Sequence, residues 1–264
     1  MDLQLIPVDK FQDFLVVAAR VAGFVGAIPV FSGAQTPVRV KTGLVLAIAL
    51  ILFPVMGEGL PEVSFVPVPF LLLIINEALL GTLIGLIARL IFTAVEFGAT
   101  VIGYQMGFAA ANVFDPQGER QVALVSQFQN VFAILIFIAV NGHHHFLRTA
   151  VKSYELLPPG QLQIAGEAVP YLMQLASHMF TLGVLFSAPV LAILLFSGLI
   201  LGILARVFPQ LNVFLLSFPL NIGIAFIVIS LTLDISFVLL RREFDSLPER
   251  IVTLLQHLAM PSPF

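Results

Sequence analysis

The chain has 264 residues, 59% of them hydrophobic and only 10% charged, with a mean hydropathy of +1.06. A soluble domain carries roughly 25% charged residues, so this chain cannot clothe its surface in polar groups and belongs in a membrane or a large apolar assembly. The net charge of −3 argues against a nucleic-acid partner, and the absence of cysteine removes disulfides, thiolate metal sites and cysteine nucleophiles.

There are 25 Phe, 3 Tyr and no Trp, so the tryptophan belt of ordinary lipid-facing bundles is missing. The start, MDLQLIPVDK, sets Asp2 and Asp9 against Lys10. That is a poor basic n-region, and no cleaved signal peptide is expected. The first apolar stretch, Phe11–Phe31, is long enough to span a bilayer at about 20 residues. It carries Arg20, with Asp13 on the same helical face. A mid-span charge costs roughly 2.5–3.5 kcal/mol, so Arg20 should face protein or water, for instance in an ion pair inside the bundle.

A loop, Ser32–Pro37, leads past Arg39 and Lys41 to a shorter run, Thr42–Phe53, which stops at Pro54, Gly57, Gly59 and Pro61. Phe70–Phe97 is a long helix in which Glu77, Gly81 and Gly85 share one face, a spacing that lets another helix approach closely. Arg89 and Glu96 form a second polar stripe, readable as an ion path or as a seam that docks on neighbouring subunits. Then comes Gly98–Val122, where glycines and small residues give way to the turn Asp115-Pro116-Gln117-Gly118. Gly98–Gly107 reads as helix-packing glycine and Phe108–Arg120 as a separate, semi-apolar loop.

Ala123–Val140 is apolar and ends at Asn141-Gly142-His143-His144-His145. Consecutive residues on a helix point about 100° apart, and no acid lies nearby, so an interfacial cap fits better than a metal site. Arg148 and Lys152 follow in a loop, then a polar linker through Leu157-Pro158-Pro159-Gly160 and an amphipathic stretch, Gly166–Ala176. Phe180–Ala205 contains Pro189, where a kink or break is expected. After a break at Arg206–Gln210, Leu211–Leu240 is too long for one straight span and is interrupted by Pro219, Asn221 and Gly223. The end of the chain, with Arg241, Arg242, Glu243, Asp245, Glu249 and Arg250, reads as an exposed amphipathic tail.

The reading is therefore all-α, with about six hydrophobic, partly broken segments in one domain spanning 1–264. Broken helices at membrane depth are tolerated only where protein or water surrounds them. The positive-inside rule puts the Arg148/Lys152 loop and the C-terminal tail in the cytoplasm, while a six-span count leaves Arg39 and Lys41 on the opposite side. No nucleophile elbow, Walker motif, His-Glu-x-x-His or dinucleotide fingerprint occurs, so neither enzymatic chemistry nor a cofactor or metal is expected.

Several stretches, in this order and spacing, resemble the FliR/SctT family of type III export-gate subunits. They are Arg20-Val-Ala-Gly-Phe to Pro29, Gly33 to Lys41, and Glu77-x-x-x-Gly81-x-x-x-Gly85. Next come Gly103-Tyr-Gln-Met-Gly-Phe-Ala-Ala to Asp115-Pro116, Asn141-Gly-His-His, and Ser153-Tyr-Glu-Leu-Leu-Pro-Pro-Gly160. The last runs from Pro189 through Ala205-Arg206 and Pro209-Gln210-Leu-Asn212 to Phe218-Pro219-Leu. Asn221 departs from the lysine expected in many relatives.

The resemblance implies a subunit of the flagellar export gate, in the bacterial inner membrane at the flagellar basal body. It would assemble with FliP-, FliQ- and FlhB-type proteins and other basal-body components, contact membrane lipid and pass unfolded flagellar substrates. It implies a FliP-like part over about 1–205, then a FliQ-like hairpin and cytoplasmic tail over about 178–264. It also implies that the loop 106–122 is a plug in a closed pore, with Met106, Gly107, Phe108, Ala109, Ala110, Ala111, Phe114, Asp115 and Pro116 as its candidate residues. Arg20, Glu77, Arg89 and Arg206 are the candidate inter-subunit polar contacts. Small apolar residues suit a seal that excludes water, although an ordinary helix–helix turn has the same composition. The alternatives are an injectisome counterpart or a small-solute or proton-coupled transporter, which would also use broken helices.

Overall fold

The computed structural model describes residues 8–32, 36–56, 66–107, 120–162, 166–210 and 212–259. These form ten helices: α1 (Val8–Ala27), α2 (Pro29–Ser32), α3 (Val38–Met56), α4 (Pro67–Gln105) and α5 (Arg120–Ala139), then α6 (Gly142–Leu156), α7 (Ala168–Val207), α8 (Val213–Leu231), α9 (Leu233–Asp245) and α10 (Leu247–Ala259). No strand occurs among the described residues, so the all-α expectation holds. Each of the six apolar segments is helical, and α6 and α10 are amphipathic additions. Among the described residues, α4 and α7 are each long and apolar enough to cross a membrane, and bent pairs raise the number to as many as four.

Contacts sort the chain into two compact units. Unit 1 draws on residues up to Leu90, on Asn141–Leu175 and on the stretch from Ser246. Within it, α1 crosses α4 at backbone distance. A Cβ on Gly81 would collide with the Arg20 carbonyl, and one on Gly85 would lie 2.5 Å from Ala27 Cβ. The small-residue face read from the sequence is thus the bed on which α1 lies. Edge-on ring pairs tie α1 to its other neighbours, Phe14–Phe53 at 6.0 Å and Phe24–Phe146 at 5.5 Å. Helix α10 buries Leu247, Ile251, Leu254, Leu255 and Leu258 and packs on α6. The tail is therefore not simply exposed; its i, i+3, i+4 leucine stripe docks.

Unit 2 draws on Ile91–Val140 and Ala176–Asp245. Phe92, Phe137 and Phe244 join α4, α5 and α9 with centroid separations of 5.2–5.7 Å. Helices α4 and α7 meet at Gly98 and Gly183, where a Cβ on Gly98 would stand 2.6 Å from the Gly183 carbonyl oxygen. Helices α7 and α8 are linked by Ser197 Oγ, which donates to Asn221 Oδ1 at 2.8 Å. Asn221, the departure from the resembled pattern, thus has a neutral partner of its own.

Three sequence expectations change. No break occurs at Pro189, where α7 continues as helix, and α8 contains Pro219. In an apolar setting the alternative to helical hydrogen bonding is unsatisfied backbone, so one lost bond is tolerated. The long last segment breaks instead at Thr232, where the chain bends by 57°. There the Thr232 N–H is shared between the Val228 and Ile229 carbonyls, and its hydroxyl competes for the same two acceptors, which loosens the ladder. The segment bearing Arg148 and Lys152 is not a loop but part of α6, entered through Asn141 in a left-handed conformation (φ 55°) that asparagine tolerates. The helix-packing reading of Gly98 holds, since α4 runs on to Gln105 with Gly98 and Gly103 inside it.

Candidate functional site

The candidate seal begins where α4 ends. The Met106 N–H donates to the Ile102 carbonyl at 2.9 Å, and the Gly107 N–H to that of Tyr104 at 3.1 Å. Met106 is fully buried, in a cluster with Val125, Val190, Leu194 and Ala225. Gly107 has φ +98°, and a Cβ there would lie 2.6 Å from the Phe218 ring. Both backbone conformation and space therefore demand glycine. These two residues form an anchored helix end. The rest of the seal, with Phe108, Ala109, Ala110, Ala111, Phe114, Asp115 and Pro116, lies outside the described residues. On the far side, Ser126 of α5 hydrogen-bonds Thr100 of α4 at 3.0 Å.

The second arrangement is a buried polar knot in unit 1. Arg20 is completely buried and Glu77 is 1% exposed. Arg20 Nε donates to Glu77 Oε2 at 2.6 Å, Nη1 to Ser153 Oγ at 3.1 Å and Nη2 to the Leu157 carbonyl at 3.0 Å. The guanidinium lies 3.8 Å over the Tyr154 ring, a cation–π contact. The other carboxylate oxygen, Glu77 Oε1, accepts from the Gly160 N–H at 3.2 Å, and the Tyr154 hydroxyl donates to the Val17 carbonyl at 3.3 Å. A planar, multidentate arginine is suited to such a site because its donors reach three partners at once.

The knot joins α1, α4, α6 and the turn after α6. Asp13 shares a helix with Arg20, about 10 Å away along the axis; Glu77 comes from a crossing helix and closes the pair. Arg20 and Glu77 therefore satisfy one another within the chain. Arg89 and Arg206 are exposed, and Arg206 sits in the last turn of α7, where the helix dipole favours a cation.

Sequence reasoning did not connect Ser153, Tyr154, Leu157 and Gly160 to Arg20. Their only signal was the Ser-Tyr-Glu-Leu-Leu-Pro-Pro-Gly run, whose turn brings a carbonyl and an N–H to a buried pair. The rings of His143 and His144 stand 4.3 Å apart, and no group of three metal-ligating side chains gathers among the described residues. Both arrangements position helices; neither aligns a nucleophile, an acid or a base.

Comparison with known proteins gives these features a setting. A family model described as "Bacterial export proteins, family 1" matches residues 11–247. The chain is 34% identical to the flagellar biosynthetic protein FliR of Bacillus subtilis, over 94% of this chain and 96% of that one. It is 32% identical to FliR of Pectobacterium carotovorum, covering 82% of each chain, and 30% identical to FliR of Escherichia coli, covering 78% of each. The match contains both the knot and the helix-end anchor, and the chain belongs to the bacterial export proteins of family 1.

Proposed function

We propose that the chain is a FliR-type subunit of the flagellar type III protein export gate in the bacterial inner membrane. It forms a channel with FliP- and FliQ-type partners, acts with an FlhB-type protein, and conducts unfolded flagellar proteins. The observation that carries this reading is a family match over residues 11–247 on a chain whose apolar helices remain largely uncovered. Only 33% of the most apolar stretch of α4, and of α7, is buried within the chain. Phe196, Leu199, Ile200 and Ile203 are all more than half exposed. Such surfaces need lipid or other subunits against them. The chain performs no chemistry of its own, and its C-terminus faces the cytoplasm.

In this reading Met106 and Gly107 moor the loop 106–122, and its apolar part is the plug. Arg89 and Arg206, exposed on the chain, are the polar contacts to neighbouring subunits, while Arg20 and Glu77 shape the face that is presented. Residues up to about 205 form the FliP-like part, and those from about 178 the FliQ-like hairpin and tail.

Two experiments test the reading. Photo-crosslinkers at Phe108 and Phe114 should capture a stalled export substrate; capture by neighbouring subunits alone would remove the loop from the conduit. Deleting Gly107–Gly118 should make the membrane leaky to ions while the complex still assembles. Unchanged permeability in an intact complex would refute the plug. Detergent extraction separates the transporter alternative, because a stable solute-binding monomer would contradict a gate subunit that depends on its partners.

A further inference from the structure

Unit 2 contains a small cavity beside the α8–α9 break, with a volume of about 10 Å³, room for one water molecule. It is lined by Phe132, Phe186 and Ile229, and by three polar residues, Gln129, Thr232 and Ser236. Gln129 is 4% exposed, and its Oε1 has no hydrogen-bond partner. Thr232 directs its proton at the Val228 and Ile229 carbonyls, which leaves its oxygen free to accept. The pocket therefore offers two acceptors and one further hydroxyl in an apolar surround. A buried amide oxygen left without a donor is costly, and a water-sized space with at least two polar partners is what an internal water needs.

We propose that this cavity is a binding site for a single water molecule. The water donates to Gln129 Oε1 and Thr232 Oγ1 and accepts from the Ser236 hydroxyl. It ties α5 to the point where the last apolar segment breaks, and fixes the bend by occupying the space that the break leaves. The occupant is a neutral donor of water size, and the lining has no carboxylate for a metal ion.

X-ray hydroxyl-radical footprinting of the full-length chain in native membranes tests this, because radicals formed from a bound water oxidise the side chains beside it. Phe186 lines the cavity and is 6% exposed, whereas Phe92 of the same unit is 2% exposed and packed between Phe137 and Phe244. Phe186 should be oxidised several-fold faster than Phe92, and Gln129→Leu should bring it down to the Phe92 rate. Thr232→Val, which removes the other acceptor while keeping the shape, should do the same. The proposal falls if Phe186 is as inert as Phe92 in the unaltered chain, or if its rate survives both substitutions. Should either variant fail to accumulate, the ratio of the two phenylalanines in the unaltered protein decides alone.

Discussion

Each unit has a different centre. Unit 1 converges on a buried charge pair whose donors and acceptors are spoken for by Ser153, Leu157 and Gly160. Unit 2 converges on three phenylalanines and a glycine–glycine helix crossing, and its hydrogen bond between His178 Nε2 and Glu243 Oε2, at 3.0 Å, has its histidine 41% exposed. A charge knot accepts one set of partners, because any unmatched member is stranded in a low-dielectric interior. Aromatic packing is graded, since a smaller ring-filling side chain loses area in proportion. Unit 1 is thus specified by identity and unit 2 by volume.

The largest expected break in this contrast is Arg20→Met. It strands the Glu77 carboxylate and should cost about 3–5 kcal/mol, seen as loss of the chain from membranes. Adding Glu77→Leu removes the stranded charge and should restore much of the level; a double variant as poor as the single one would refute the pairing as the cause.

In unit 2, Phe137→Ala should cost about 3–5 kcal/mol by opening a cavity, but Phe137→Leu markedly less, whereas Arg20→Lys should remain poor. Thermal unfolding in detergent reads both comparisons. Next in size are Gly81→Ala and Gly98→Ala, each of which drives a methyl into backbone and should cost about 1–3 kcal/mol. Gly202, with open space around its Cβ position, is the control that should tolerate alanine. The smallest effect is Asn221→Ala, which removes the acceptor of Ser197 and should cost about 1 kcal/mol.

Much of this was legible in the residues. Apolar length alone located the helices, and the Glu77-Gly81-Gly85 spacing announced the close crossing of α1. The charge of Arg20 demanded a partner but did not name it, because the partner depends on which helix crosses. The prolines do not end their helices for a related reason. Helices α7 and α8 are apolar all round, so periodicity gives no face, and a proline there costs one hydrogen bond without an aqueous alternative to take the helix's place. Thr232, which does mark the bend, looks in the sequence like any other polar residue. Composition shows small and apolar residues alike, so it does not separate the anchor at Met106 and Gly107 from the loop that follows. Burial in a core and a Phe218 ring against the glycine are tertiary facts.

The Arg20 knot also sets a timetable for biogenesis. Arg20 is made 57 residues before Glu77 and 137 before Leu157. At about 5–20 residues per second, it waits roughly 3–11 s for its counter-ion and roughly 7–27 s for its last acceptor. Until Glu77 emerges, Arg20 lacks the counter-ion that it meets in the fold. The α1–α4 contact can therefore close before the end of α6 adds its acceptor to the same guanidinium.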